Sequence, residues 1–416
     1  MKNQQPIKRG AVGTAPVGLA GHAGRILTGA VALLLIAAPA AAQTPDADLD
    51  AFITQSMVQG GYPGLAALII RDGAVVWSGN YGLAQVEPAV PVTDDTLFML
   101  ASVSKTVTAV AILHLWEQGK FGLDDDVNGY LPFRVVNPHF PNVPITFRML
   151  LTHTSSIQDN NGQLAFGSRL YCDGDSSVSL RDFVEGRLVP GGEYYASSYM
   201  VAPPGTVFEY SNFGFALLGY LVESISGIPF DTYTRLTIFE PLGMDSTGWH
   251  LADLGSASIA MPYRCNNNSS DGKSAFVAHP FGQYGYPDYP DGSLRTSARQ
   301  LARFLGAIMN GGELDGVRIL QTATVQAMLT PHGPPAPPAM GLCWNGLRAA
   351  GYLGEETYWG HPGGDFGVST LMAFRPSDGV GVIVLANGDG VGSNQNDGLP
   401  SVFAMARRLF QEAEGF

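Results

Sequence analysis

The chain has 416 residues, of which 45 % are hydrophobic and only 14 % are charged. This apolar content excludes an intrinsically disordered protein and is typical of a globular one. The formal net charge of −13 argues against a nucleic-acid-binding protein, because contacts to phosphates require clustered Lys and Arg side chains.

The first 42 residues have the pattern of a secretory signal peptide. They contain four basic and no acidic side chains, an apolar run over 26–38, and three alanines before Gln43. We therefore predict cleavage after Ala42, which would make residues 43–416 a periplasmic or secreted protein without a stable membrane anchor. The apolar run has 13 residues, whereas a membrane-spanning helix needs about 20, and a retained anchor is the alternative.

The N-terminal part of the remaining chain predicts a helix, a hairpin and a second helix. The helix covers 46–59, and strands at 65–71 and 74–78 flank an Asp-Gly turn. The run 104–118 is mostly apolar without Gly or Pro and is followed by Gly119, which predicts a buried helix with a glycine at its end.

Residues from about 125 to 290 are rich in Pro, Gly, Asn, Asp and Tyr, which indicates long loops between helices. The periodicity predicts these helices and, further along, more helices and a second hairpin: helices at 147–153, 213–226, 230–239, 297–309, 321–329 and 401–413, and strands at 368–374 and 381–386. If the strands at both ends form one sheet, sheet regions at 43–125 and 291–416 enclose a mostly helical insertion at 126–290.

Three cysteines are present, and an odd number in an exported chain allows one disulfide. Cys172 and Cys265 lie in polar, loop-like stretches, whereas Cys343 lies among apolar residues. We therefore predict a disulfide between Cys172 and Cys265.

One apparent metal site is incomplete. Asp124, Asp126, Asn128 and Gly129 match the first half of a calcium-binding loop, but Val135 occupies the position that requires a bidentate Glu. The sequence therefore predicts no metal here, and no Cys/His cluster has the spacing of a zinc site.

A possible nucleophile lies at the start of the buried helix. Ser102 and Lys105 are three residues apart, so both side chains should lie on one face. A serine hydroxyl needs a neighbouring base, and a desolvated lysine near a helix N-terminus can act as one. Serines are frequent enough that such a pair also arises by chance, so further motifs are needed.

Two further motifs each allow a simpler interpretation. Tyr210, Ser211 and Asn212 precede a predicted helix, and Ser211 or Asn212 could merely cap it. His361-Pro362-Gly363, followed by Gly364, precedes the strand at 368–374. The glycines would let a substrate backbone approach closely, but a turn is also consistent with them.

In this order and with long separations, Ser102-x-x-Lys105, Tyr210-x-Asn212 and His361-x-Gly363 resemble the three active-site motifs of the penicillin-recognising serine hydrolases. The stretches LLTHTSSI at 150–157 and EPLGMDSTGW at 240–249 are similar to the same group. Within it, the chain resembles the branch of class C β-lactamases, D-alanyl-D-alanine carboxypeptidases, D-aminopeptidases and related carboxylesterases. The resemblance implies an α/β fold, with an antiparallel sheet flanked by helices and an inserted, mostly helical region.

The resemblance also implies an acyl-enzyme mechanism without metal or cofactor. Ser102 would attack a carbonyl, and Lys105 and Tyr210 would exchange the proton, for which Lys105 is expected to lower the pKa of Tyr210. The backbone N–H groups of Ser102 and Gly364 would form the oxyanion hole. The substrate-binding residues would be Asn212, His361 and Gly363.

One departure from the family pattern bears on the substrate, a peptide or small molecule. Typical β-lactamases carry a Lys where this chain has His361, which weakens the case for binding the carboxylate of a β-lactam. We therefore expect an amidase, peptidase or esterase; a β-lactamase and a non-hydrolytic penicillin-binding or regulatory protein are the alternatives. The segment 158–200 is expected to build the pocket wall.

A Ser-His-Asp triad is a further alternative to consider. The chain contains no G-x-S-x-G sequence, which marks the nucleophile of α/β-hydrolases. His153 would be the candidate triad histidine, but we interpret it as a packed or capping residue, because a buried histidine is usually just hydrogen-bonded.

Overall fold

The computed structural model describes residues 47–159, 171–255, 258–266, 275–337, 339–346, 353, 356–389 and 402–416. The predicted signal peptide and its cleavage site lie outside these ranges and remain a prediction.

The helices begin and end close to the predicted positions. The described helices are α1 (Ala47–Gly60), α2 (Ser104–Glu117), α3 (Phe147–Leu151), α4 (Leu180–Leu188), α5 (Asn212–Ser226), α6 (Phe230–Thr234), α7 (Ala298–Met309), α8 (Thr322–Met328) and α9 (Val402–Glu412). A π-helical turn, Arg235–Phe239, continues α6. As predicted, Gly119 follows α2 with a positive φ of 72°.

The strands comprise one large sheet and several two-stranded pairs. They are β1 (Gly64–Arg71), β2 (Ala74–Gln85), β3 (Val90–Pro91), β4 (Phe98–Met99), β5 (Cys172–Asp173), β6 (Tyr263–Asn266), β7 (Ala275–Ala278), β8 (Tyr284–Gly285), β9 (Arg295–Thr296), β10 (Glu313–Leu314), β11 (Val317–Arg318), β12 (Asn345–Gly346), β13 (Trp359–Asp365), β14 (Val368–Arg375) and β15 (Val380–Ala386).

Both ends of the described chain contribute to a seven-stranded antiparallel sheet. Its order is β12-β13-β14-β15-β1-β2-β3, and β1 pairs with β15 from Leu65 opposite Ala386 to Arg71 opposite Val380. The fold is therefore the predicted one, an antiparallel sheet with flanking helices. The central strands β1 and β15 are almost continuously apolar, because helices cover both of their faces.

Alternate side chains of β1 point into two hydrophobic cores. Leu65 and Ala67 pack with residues of α1 and α9 on one face, and Ala66 and Leu68 pack with α7 and the helical region on the other. This period of two follows from the pleat of a strand. Because of this alternation, the face that carries Ala66 and Leu68 is the one that meets α2 and the turn before it.

The strand β13 decides between the two interpretations of the third motif. His361-Pro362-Gly363 lies inside β13 rather than in a turn before β14. Proline lacks an N–H donor, so it is normally confined to strand edges. It is tolerated here because β12 pairs only with Trp359 and Gly360, so that Pro362 lies beyond its end.

The predicted disulfide is not present. Cys172 lies on β5, which pairs with β8, whereas Cys265 lies on β6, which pairs with β7. The two thiols are not joined, and Cys172 Sγ lies 3.5 Å from the carbonyl oxygen of Gly285. The two stretches that resemble polar loops in the sequence form strands of separate sheets. The positions of the cysteines in the sequence alone could not reveal this.

No single helix within the described ranges is both long and apolar enough to cross a membrane. Only α5 together with Phe230–Phe239, which are bent by 79° relative to each other, meets the length and composition requirement as a pair.

The cysteine arrangement leads to a prediction. Protein purified under oxidising conditions and then unfolded should show three titratable thiols per chain, because no cystine joins Cys172 to Cys265. Thiol titration in denaturant with and without prior reduction measures this. A gain of two thiols on reduction would contradict the structure.

Candidate active site

The side chain of Lys105 lies at the centre of the site and is fully buried. Its Nζ donates to Ser102 Oγ at 3.1 Å, to Asn212 Oδ1 at 2.6 Å and to the backbone oxygen of Asp291 at 2.7 Å. The carboxylate of Asp291 lies 3.8 Å from the same nitrogen. Three donated hydrogen bonds and a nearby carboxylate are the surroundings of an ammonium group.

Tyr210 packs beside this lysine. Lys105 Nζ lies 5.1 Å from the centre of the Tyr210 ring, and the buried phenol hydroxyl makes no hydrogen bond of ordinary geometry to a described residue. Burial raises the pKa of Tyr210, and Lys105 and Ser102 oppose this without outweighing it. Lys105 thus lowers the pKa of Tyr210 as expected, but desolvation of the phenolate exceeds this attraction, so the pKa as a whole is raised rather than lowered.

Ser102 lies in a 3-10 turn, Ala101–Val103, directly before α2. The turn is held from two sides: Leu100 N donates to the oxygen of Leu294 at 2.8 Å, and Thr370 Oγ1 on β14 donates to the oxygen of Leu100 at 2.6 Å. Ala101 has a φ of +48°, a strained value for a residue with a Cβ. Such strain is typical of functional sites, where the surroundings enforce it.

Gly363 on β13 packs against this turn. A Cβ at Gly363 would lie 2.3 Å from the oxygen of Leu100 and 3.2 Å from Ser102 N, so no side chain fits. Gly364, the next residue, is exposed, and a Cβ there would have no atom within 4 Å. The third motif therefore lies beside Ser102, with open space at Gly364.

His361, two residues before Gly363 on the same face of β13, is buried with its ring 6.1 Å from that of Tyr210. Its Nδ1 lies 2.6 Å from the oxygen of Pro362, so Nδ1 carries the proton in the neutral ring and Nε2 is an acceptor. Burial, and secondly Lys105, lowers the pKa of His361 to about 3. The imidazole is therefore neutral and supplies no positive charge to the site.

The second motif contains both a cap and a functional residue. Ser211 Oγ accepts a hydrogen bond from Gly214 N and so caps α5, as the simpler interpretation predicted. Asn212, the first residue of the helix, directs its side chain to Lys105 instead. Asp159 completes the cap by accepting from the backbone N–H groups of Asn212 and Phe213 at 2.7 and 2.9 Å.

His153 does not belong to a triad. It is buried, its Nδ1 accepts a hydrogen bond from Ser211 N at 3.0 Å, and its ring lies 4.4 Å from that of Tyr210. This confirms the interpretation as a packed and capping residue.

The apparent calcium loop forms a turn and an ion pair. Asp126 accepts from the backbone N–H of Asn128, and Asp124 pairs with the guanidinium of Arg148 at 2.7 Å. Groups of three or more potential metal ligands are absent from the described residues.

Sequence reasoning missed Asp291 and Asp159. Asp291 supplies the backbone oxygen that accepts from Lys105, and Asp159 holds the start of α5. No sequence signal marks a backbone carbonyl as a ligand. Asp159 follows the LLTHTSSI stretch closely, but a lone Asp in a loop gives no indication of the helix that it caps.

The segment 158–200 was expected to line the pocket, and part of it lies outside the described residues. Tyr171 donates to Asp365 at the end of β13 at 2.8 Å, so it lies near the third motif. Tyr194, in contrast, stacks on the guanidinium of Arg187 at 3.6 Å and stabilises α4.

Comparisons with known proteins concern the family and the fold of this chain. A family model described as Beta-lactamase matches residues 49–403. Among curated proteins, the chain is 26 % identical over 340 residues to Protein flp of Staphylococcus aureus strain N315, covering 82 % of this chain and 62 % of that protein. It is 30 % identical over 357 residues to the unguisins hydrolase ungD' of Aspergillus campestris, covering 82 % and 61 %. The chain thus spans about three fifths of the length of these relatives.

Among solved structures, the D-amino acid amidase of Ochrobactrum anthropi SV3 in complex with D-phenylalanine superposes with a TM-score of 0.68. The identity is 21 %, over 88 % of this chain and 99 % of that one, so this likeness establishes the fold alone.

The close contact at Gly363 leads to a prediction. Gly363→Ala should lower Tm by roughly 2–10 °C and reduce catalytic activity, because the added Cβ pushes β13 away from the turn that carries Ser102. Gly364→Ala is the matched control for stability, since open space surrounds that position. Thermal unfolding of both variants measures this, and equal Tm values would contradict it.

Proposed function

Because the chain belongs to the β-lactamase family, whose members include hydrolases, we propose that it is a serine hydrolase that forms an acyl-enzyme on Ser102. The substrate is an amide bond in a peptide, including one with D-residues or an unusual linkage, or a small ester. The observation that carries this proposal is the contact between Lys105 Nζ and Ser102 Oγ at 3.1 Å within a buried polar site. The N-terminal pattern of basic and apolar residues supports export.

The geometry supports separate roles for these residues in acyl transfer. Ser102 Oγ attacks the substrate carbonyl, its proton passes to the Lys105 and Tyr210 pair, and the pair then protonates the leaving group. Water attacks the acyl-enzyme by the reverse proton path. The open space at Gly364 supports the assignment of its N–H and that of Ser102 to the oxyanion hole.

The protonation state of the pair follows from its surroundings. Lys105 donates three hydrogen bonds, and the pKa of Tyr210 is raised, so the resting site holds both protons. A general base must lack a proton. The reactive form is therefore the minor one in which the pair has lost one proton, with an apparent pKa that belongs to the pair rather than to either residue.

The neutral His361 favours amides and esters over β-lactams. A β-lactam carries a carboxylate that a cation at this position would bind, and the lowered pKa of about 3 leaves His361 uncharged at any ordinary pH. A β-lactamase is thus the second candidate. A non-hydrolytic penicillin-binding or regulatory protein is less well supported, because Lys105 Nζ is hydrogen-bonded to Ser102 Oγ and Tyr210 packs beside this lysine.

The nucleophile can be tested directly. Intact-protein mass spectrometry after brief exposure to an activated p-nitrophenyl ester should show an acyl adduct on the wild type and none on Ser102→Ala, whose turnover should fall by at least about 10³-fold while the variant remains folded. A parallel exposure to a β-lactam should give a slower adduct. Equal hydrolysis by Ser102→Ala would refute the mechanism, and fast β-lactam turnover would favour the second candidate.

The pH dependence tests the protonation state. Since the active form lacks one proton, kcat/KM should rise with pH, about tenfold per unit, from about pH 6 to pH 9 after correction for uncatalysed hydrolysis. Tyr210→Phe should lower kcat by about 10²–10⁴-fold. A flat profile over this range would mean that the pair has already lost its proton at neutral pH.

A further inference from the structure

We propose that His153 is a positioning residue for catalysis, which holds the Tyr210 phenol within reach of Ser102. The inference rests on the proposed function, because it assigns a role in the same reaction. His153 lies in the loop after α3, remote in sequence from all three motifs.

The backbone on both sides of Tyr210 is bonded to this one residue. Glu209 N donates to the backbone oxygen of His153 at 2.8 Å, and Ser211 N donates to His153 Nδ1 at 3.0 Å. The imidazole also lies against the Tyr210 ring, with centroids 4.4 Å apart and planes 31° apart. The residues before and after Tyr210, and its ring, therefore all contact His153.

These contacts require one particular form of the imidazole. Nδ1 accepts an N–H, so the proton of the neutral ring lies on Nε2. Burial, followed by the charge of Lys105, lowers the pKa of His153 well below its usual value, so the acceptor is retained over the pH range of an assay. Protonation at Nδ1 would remove the bond to Ser211.

The backbone of His153 has an uncommon conformation. Its φ is +54°, in the left-handed region that only a few per cent of non-glycine residues adopt and in which Asn, Asp and His are the most frequent of them. A packing residue could be accommodated with ordinary backbone geometry, whereas this conformation directs both the backbone oxygen and Nδ1 to residues flanking Tyr210. Because the base must lie within hydrogen-bond reach of the serine proton, a small displacement of Tyr210 is costly to catalysis.

Two substitutions separate the acceptor from the ring. His153→Asn keeps an acceptor atom close to the position of Nδ1 and tolerates a positive φ, but it lacks the ring. His153→Phe keeps a ring and removes the acceptor, which leaves the Ser211 N–H unsatisfied. His114→Asn, at a partly buried histidine further along α2 that bonds to Tyr233, is the matched control.

The experiment measures kcat, KM and the single-turnover rate of acylation by a p-nitrophenyl ester, with Tm for each variant. His153→Phe should acylate about 10²-fold more slowly with KM nearly unchanged, and His153→Asn should remain within about tenfold of the wild type. His114→Asn should match the wild type. Acylation at the wild-type rate by His153→Phe would overturn the proposal.

The asparagine variant is decisive even if His153→Phe does not fold. A folded His153→Asn that loses 10²-fold or more in acylation rate would show that the bond from Ser211 N to an acceptor at this position does not suffice to position Tyr210, and would overturn the assignment of the positioning to this bond. The proposed function fails in a different way: wild type and Ser102→Ala would then give the same ester hydrolysis and no adduct, whatever the residue at position 153.

Discussion

The burial of one positive charge organises the active site. An ammonium group taken out of water is costly unless it is surrounded by acceptors, and the penalty amounts to several kcal/mol. Lys105 meets this requirement with atoms from three separate segments: Ser102 before α2, Asn212 at the start of α5, and Asp291 before β9. The same contacts that stabilise the charge therefore bring Ser102, the side-chain amide of Asn212 and the backbone of Asp291 together.

The sheet supplies the other wall of the site through backbone contact. Gly363 lies so close to the Ser102 turn that no side chain fits between them, and Thr370 ties the neighbouring strand to Leu100. This arrangement places β13 directly beside the turn that carries Ser102. It also explains why the turn tolerates a strained φ at Ala101: bonds on both sides hold it in place.

The two histidines near the lysine carry no positive charge of their own. His153 and His361 are both buried, and burial together with the field of Lys105 lowers the pKa of each. A second cation would raise the cost of keeping Lys105 charged and would weaken its effect on Tyr210. Neither histidine therefore supplies a cation that could bind a carboxylate.

The sequence by itself determined most helix boundaries, because hydrophobic periodicity is a local property, and the resemblance of its three motifs to a known family indicated the fold class. It did not determine that Pro362 lies within a strand, that Cys172 and Cys265 are kept apart, or that Asp291 offers its backbone oxygen to Lys105. The raised pKa of Tyr210 also arises only in the folded site. Strand pairing, backbone acceptors and desolvation depend on residues distant in the chain, so only the tertiary structure decides them.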